Sequence, residues 1–194
     1  LYACLEESAL VTIPNYITIF RFILVPFIVM ALLSGYVGAA LIGFVIAGIS
    51  DGIDGFIARR YNQGSELGAY LDPIADKLLL VSLFVVLGFV KELPVWLVVI
   101  VVSRDIFIIG AVLLGAVIGK PLEMHPLFVS KANTAFQIIL VTVTLADIAF
   151  DFSLAGVRMV LVWIVALLTA ASAAAYLMAW TKHMAGYEQE HKQD

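Results

Sequence analysis

Charge is scarce in this chain. Lys, Arg, Asp and Glu together make up 13% of its 194 residues, against 63% apolar residues. That balance excludes an ordinary soluble domain and places the chain with helical membrane proteins. Cysteine is nearly absent: Cys4 stands alone, so a disulfide within the chain is excluded. There is no basic patch and no nucleic-acid motif, so no nucleic-acid partner is expected. Long polar tracts, internal repeats and low-complexity segments are also missing, and the expectation is a single transmembrane domain over residues 1–194. Residues 1–15 lack the basic flank and apolar run of a signal peptide.

What is present is a series of apolar runs, each on the order of 20 residues, the length that crosses a bilayer. We read about six spans, an all-α polytopic integral membrane bundle. They cover residues 15–33, 37–60, 67–90, 94–119, 131–150 and 157–180. The loops between them are short, which makes successive spans antiparallel neighbours. Residues 1–14 fit an interfacial segment that mixes Leu, Val and Ile with acids. Residues 181–194 read as a polar, exposed tail. Arg59, Arg60, Lys120, Lys131, Lys182 and Lys192 fall on the side of both termini, Lys91 and Arg158 on the other. The positive-inside rule then puts both termini in the cytoplasm.

Four carboxylates interrupt this apolar background at the ends of the second and third spans: Asp51, Asp54, Asp72 and Asp76. Acids in such surroundings are costly and need a compensating partner. Asp51, Asp54, Gly55 and Ala58 recur at i, i+3, i+4 and i+7 and so share a helical face. Gly68, Asp72 and Asp76 recur at i, i+4 and i+8 and share another. The small residues leave room for a ligand, and Arg59 suits a bidentate grip on phosphate. Oxygen-only ligands select a hard cation, Mg²⁺ or Mn²⁺, over zinc or copper. Two such ions bridged by carboxylates can clamp a diphosphate.

The order Asp51, Asp54-Gly55, Ala58-Arg59, Gly68, Asp72, Asp76 resembles, position by position, the signature of the CDP-alcohol phosphotransferase family. The likeness runs from Ile13 to about Trp180, and that family's membrane fold agrees with the spans above. The resemblance implies that Asp51, Asp54, Asp72 and Asp76 ligate two divalent ions. It implies that Asp76 is the general base acting on the acceptor hydroxyl. It makes Asp54, Gly55, Ala58, Arg59 and Gly68 the pocket for the CDP-linked donor. The implied reaction is attack of an alcohol on the phosphorus of CDP-diacylglycerol with release of CMP. A homodimer is implied as well. The location expected is the bacterial inner membrane, with the site facing the cytoplasm.

Further polar residues bear on the acceptor. The opening Ile13-Pro14-Asn15 followed by Thr18 and Arg21 is similar to that of the bacterial glycerophosphate-type and cardiolipin-type members. Arg21 therefore either borders the site, with a role in acceptor binding, or snorkels to the interface. Arg104 and Lys131 are the candidate cations for an anionic acceptor. Arg104 has an alternative role, pairing with Asp105 or a site carboxylate to lower its burial cost. The word Ser103-Arg104-Asp105 and the word PLFVSKANTAFQ from Pro126 to Gln137 look more like the eukaryotic-type cardiolipin synthases than the phosphatidylglycerophosphate synthases. That makes phosphatidylglycerol the expected acceptor and glycerol 3-phosphate the runner-up. A metal-ion or proton-coupled transporter is the reading from a different class, since intramembrane acids also mark ion pathways.

Overall fold

The computed structural model describes residues 13–61, 66–117 and 128–190, with side chains described at 19–51, 75–110 and 128–178. Those residues form six α-helices, and no strand occurs among them. In chain order they are α1 (Ile13–Leu33), α2 (Val37–Tyr61), α3 (Glu66–Phe89), α4 (Val95–Val117), α5 (Phe128–Phe150) and α6 (Ala155–Glu190). Each expected span falls on one helix. The expected interfacial segment lies outside the described residues except for Ile13 and Pro14, which open α1.

The chain reverses where backbone chemistry allows it. After α1, the Tyr36 N–H donates to the Ala31 carbonyl at 2.8 Å and the Gly35 N–H to the Leu32 carbonyl at 3.1 Å. This is a Schellman stop, and it requires the left-handed φ of +81° that Gly35 adopts without steric cost. Between α5 and α6 the left-handed positions are Asp151 (φ 54°) and Ser153 (φ 58°). Asp is among the residues that best tolerate that region.

Two boundaries differ from the sequence expectation. Helix α5 starts at Phe128, inside the expected loop, so Lys131 lies in its first turns. Helix α6 runs on to Glu190 through most of the expected tail. Hydropathy falls after Trp180, but Lys, Met, Ala, Glu and Gln are good helix formers and no proline stops the helix there.

The chain divides into two compact units: Leu1–Val90 with Thr142–Ser153, and Lys91–Val141 with Leu154–Asp194. In the first unit, α1 packs against both α2 and α3. Its buried positions Arg21, Val25, Ile28 and Leu32 recur at i, i+4, i+7 and i+11, the spacing of one helical face. On α2, Ala40, Gly43, Ala47 and Asp51 form a matching stripe at i, i+3, i+7 and i+11. Small residues there let the backbones approach closely. A Cβ built on Gly43 would come within 2.9 Å of Ile28 Cγ1. In the second unit α4 packs against α6, and Trp96 meets Trp163 with ring centroids 5.5 Å apart.

Polarity is arranged inside out. Phe27, Met30, Phe89, Phe107, Phe128 and Leu167 are exposed, whereas Arg21, Arg104, Asp105, Asn133, Gln137 and Thr169 are buried. By length and composition, α5 and the Ala155–Met178 part of α6 can each cross a membrane. Shorter apolar stretches occupy Ile19–Leu33 and Val37–Asp51.

Candidate functional site

The α1–α2 stripe ends in charge. Two turns from the Ile28–Gly43 contact, the same two faces set Arg21 against Asp51. The Arg21 Nη2 lies 2.9 Å from Asp51 Oδ1. Its Nη1 donates to Asp76 Oδ1 on α3. One guanidinium thus gathers two carboxylates from two helices, because α1 touches both. Asp76 opens the α3 face that continues through the buried Leu80, Leu83 and Leu87, so apolar packing fixes the register that presents its carboxylate.

Burial is asymmetric in this cluster. Arg21 is 1% exposed, while the Asp51 and Asp76 side chains are 43% and 42% exposed. The cation lies behind, and the acids keep an open side. Two negative charges on one positive leave the trio net negative. Each carboxylate gives Oδ1 to Arg21 while keeping about two fifths of its side chain exposed. An oxygen-only, net anionic, half-open donor set is what a hard divalent cation requires.

The other residues of the acidic signature fall on the same helices. Asp54, Gly55, Ala58 and Arg59 follow Asp51 along α2, and Gly68 and Asp72 precede Asp76 along α3. Their side chains lie outside the described residues. Among the described residues no three His, Cys, Asp or Glu side chains cluster around a common point. The set shown together is therefore Asp51 and Asp76, held by Arg21.

A second polar cluster lies in the other unit. Arg104 Nη1 donates to Asp105 Oδ1 at 2.6 Å. Its Nη2 donates to Ser130 Oγ and to Ser172 Oγ, each at 2.6 Å. The guanidinium also stands over the Tyr176 ring, 5.7 Å from its centroid. Beside it in sequence on α5, Asn133 Oδ1 accepts from Thr169 at 3.0 Å. Arg104 therefore makes the pairing with Asp105 that was the alternative to acceptor binding. Lys131 is exposed. Arg21 is buried on its two acids and does not reach outward to an interface.

Sequence reasoning missed Arg21 as the partner of Asp51 and Asp76, and missed Thr169, Ser172 and Tyr176 altogether. Two signals were available. Arg21 is a lone cation in an otherwise apolar helix, and such a group needs an acid. The α6 positions recur at i, i+3 and i+7, a polar stripe on one face of an apolar helix.

The fold and site define an all-helical protein whose buried arginine presents a half-open pair of carboxylates. The chain belongs to the CDP-alcohol phosphatidyltransferase family, whose sequence profile matches residues 11–178. It is 36% identical over 191 residues to the probable cardiolipin synthase (CMP-forming) of Drosophila melanogaster, covering 89% of this chain and 59% of that protein. To the human cardiolipin synthase (CMP-forming) it is 36% identical over 181 residues, covering 85% of this chain and 60% of the relative. It is also similar to the CDP-diacylglycerol–glycerol-3-phosphate 3-phosphatidyltransferase of Salmonella choleraesuis, 34% over 134 residues, covering 66% and 72% of the two chains. The chain thus spans less than two thirds of the length of the Drosophila and human relatives.

Proposed function

We propose that this protein transfers the phosphatidyl group of CDP-diacylglycerol to a glycerol-type alcohol, with phosphatidylglycerol as the acceptor and CMP as the leaving product. The observation that carries the reading is the convergence of Asp51 and Asp76 on one buried guanidinium, at signature positions of the family. Asp76 takes the proton of the acceptor hydroxyl on its half-exposed carboxylate. The acceptor oxygen then bonds to the phosphorus bearing the diacylglycerol, and the phosphoanhydride bond to CMP breaks. Asp51, Asp54, Asp72 and Asp76 would hold two Mg²⁺ or Mn²⁺ ions, which supply neutralisation of the diphosphate charge. Gly55, Ala58, Arg59 and Gly68 make room for and grip the nucleotide diphosphate. Lys131 and Arg104 are the cations proposed for the acceptor's phosphate.

The acceptor assignment draws on the Ser103–Asp105 and Pro126–Gln137 words and on the names of the Drosophila and human relatives. Glycerol 3-phosphate is the second reading, favoured by the name of the Salmonella relative. The inside-out polarity supports a membrane setting with six spans, acyl chains lying against the exposed apolar faces. A homodimer in a bacterial inner membrane, active towards the cytoplasm, completes the proposal. The test is product analysis by mass with purified protein, CDP-diacylglycerol and each alcohol in turn. CMP and cardiolipin with phosphatidylglycerol alone are expected. CMP with glycerol 3-phosphate alone would transfer the assignment to the second reading. No CMP with any alcohol, together with cation flux in liposomes, would establish the transporter instead. Asp76→Asn should abolish CMP release while the protein remains folded.

A further inference from the structure

The geometry around Arg21 points to a role that neither substrate binding nor simple charge cover describes. We propose that Arg21 is a built-in counter-ion that assembles the metal-free carboxylate pair and weakens the site's hold on divalent cations. The proposal rests on the two-ion reading above and deepens it.

Three observations carry it. Arg21 is 1% exposed and so cannot leave for solvent as a surface residue would. It contacts Oδ1 of both Asp51 and Asp76, so its two nitrogens fix the spacing of carboxylates that belong to different helices. Both carboxylates stay more than 40% exposed, so each remains within reach of a cation.

The consequences follow from charge. Without a cation between them, two apposed carboxylates repel, and each disfavours the ionised form of the other. Arg21 removes that penalty before any ion arrives, so α1, α2 and α3 can hold the site assembled without metal. The same positive charge lowers the negative potential that draws a divalent ion in. A site so poised binds free Mg²⁺ or Mn²⁺ loosely, and the anionic diphosphate of the donor restores the missing attraction. Metal and donor then bind together. Arg21 acts on the ions through Asp51 and Asp76 and is a positioning residue.

The test uses the full chain in detergent and measures free Mn²⁺ by its electron paramagnetic resonance signal during titration. Arg21→Met should bind Mn²⁺ at least about tenfold more tightly than wild type, because a unit charge a few ångströms from a divalent ion outweighs one decade of affinity. Its unfolding midpoint without metal should fall, and it should rise more steeply with Mn²⁺ than that of wild type. Arg21→Lys keeps the charge but cannot bridge both acids with a planar fork. It should keep Mn²⁺ affinity within about threefold of wild type and lose metal-free stability. If Arg21→Met can be isolated only with Mn²⁺ present, back-titration with a chelator yields the same constant. Wild type that binds Mn²⁺ while Arg21→Met binds it equally or more weakly overturns the counter-ion role alone. Wild type that binds no Mn²⁺, with or without donor, overturns the two-ion reading itself.

Discussion

Replacing Asp105 by Asn puts the second polar cluster to a quantitative test. Arg104 and Asp105 are 3% and 4% exposed and 2.6 Å apart, so the pair is cut off from water. Removing one partner of such a pair strands the other charge and costs about 3–5 kcal/mol. Ser130 and Ser172 still accept from Arg104, and Tyr176 still faces it. The loss should therefore sit at the lower end, about 3 kcal/mol. For a chain of this length each kcal/mol moves the unfolding midpoint by roughly 2–4 °C, so the expected drop is about 6–12 °C. Replacing both residues with apolar ones, Arg104→Met with Asp105→Leu, removes the stranded charge and should recover most of the stability. Thermal unfolding in detergent, followed by tryptophan fluorescence, measures both variants. A drop under about 2 °C for Asp105→Asn, less than one kcal/mol, would refute the burial argument.

The double variant also separates the two roles weighed for Arg104. If the guanidinium serves only to neutralise Asp105, removing both leaves the acceptor KM unchanged. If it also holds the acceptor's phosphate, KM rises while stability stays near wild type. We expect the rise, at least about tenfold, the scale of one lost charge-assisted hydrogen bond.

Gly43→Val should wedge α1 from α2, since even a Cβ comes within 2.9 Å of Ile28 Cγ1. The cost is about 1–3 kcal/mol in thermal unfolding, and pairing Gly43→Ala with Ile28→Ala, which removes Cγ1, should relieve the clash. Gln137 is fully buried with neither its amide nitrogen nor its amide oxygen hydrogen-bonded. Gln137→Met should raise stability by about 1–2 kcal/mol, and a fall would show that the amide has an unrecognised partner. Arg158 donates to the Glu92 carboxylate at 2.8 Å across a partly exposed pair. Glu92→Gln should change stability by less than about 1 kcal/mol, and a larger change would count that pair among the structural supports.

The helices were legible in the sequence because each carries an apolar run bounded by a turn signal. Gly35 is the clearest example: one residue that can take a positive φ fixes the end of α1. The end of α6 was not legible by the same route. Hydropathy reports what a helix touches, whereas helix formation also follows backbone propensity, and the two part company after Trp180. The acidic signature was legible as local spacing along α2 and α3. Its partner was not, since Arg21 is 55 residues from Asp76 in sequence. The Arg104–Ser172 bond spans 68 residues. Pairings of that range depend on which helices become neighbours, and periodicity within one helix carries no record of it.

The two clusters follow one rule and differ in how open their acids are. Each places a buried arginine among polar groups from several helices. Around Arg104 the acid is as buried as the base, so Asp105 itself is closed to any ligand. Around Arg21 the base is buried and both acids are open by two fifths. A purely structural pairing gains nothing from leaving its carboxylates in reach of ligand, and Arg21 keeps one acid when the other is neutralised, whereas Arg104 keeps only hydroxyl and ring partners when Asp105 is. Asp51→Asn and Asp76→Asn should therefore each cost less stability than Asp105→Asn. Both should nonetheless abolish CMP release. Midpoints from the same detergent unfolding assay, set beside CMP release for the three variants, test the contrast. If Asp51→Asn or Asp76→Asn unfolds as readily as Asp105→Asn, the open carboxylates are structural supports and the chemistry must be sought elsewhere in the chain.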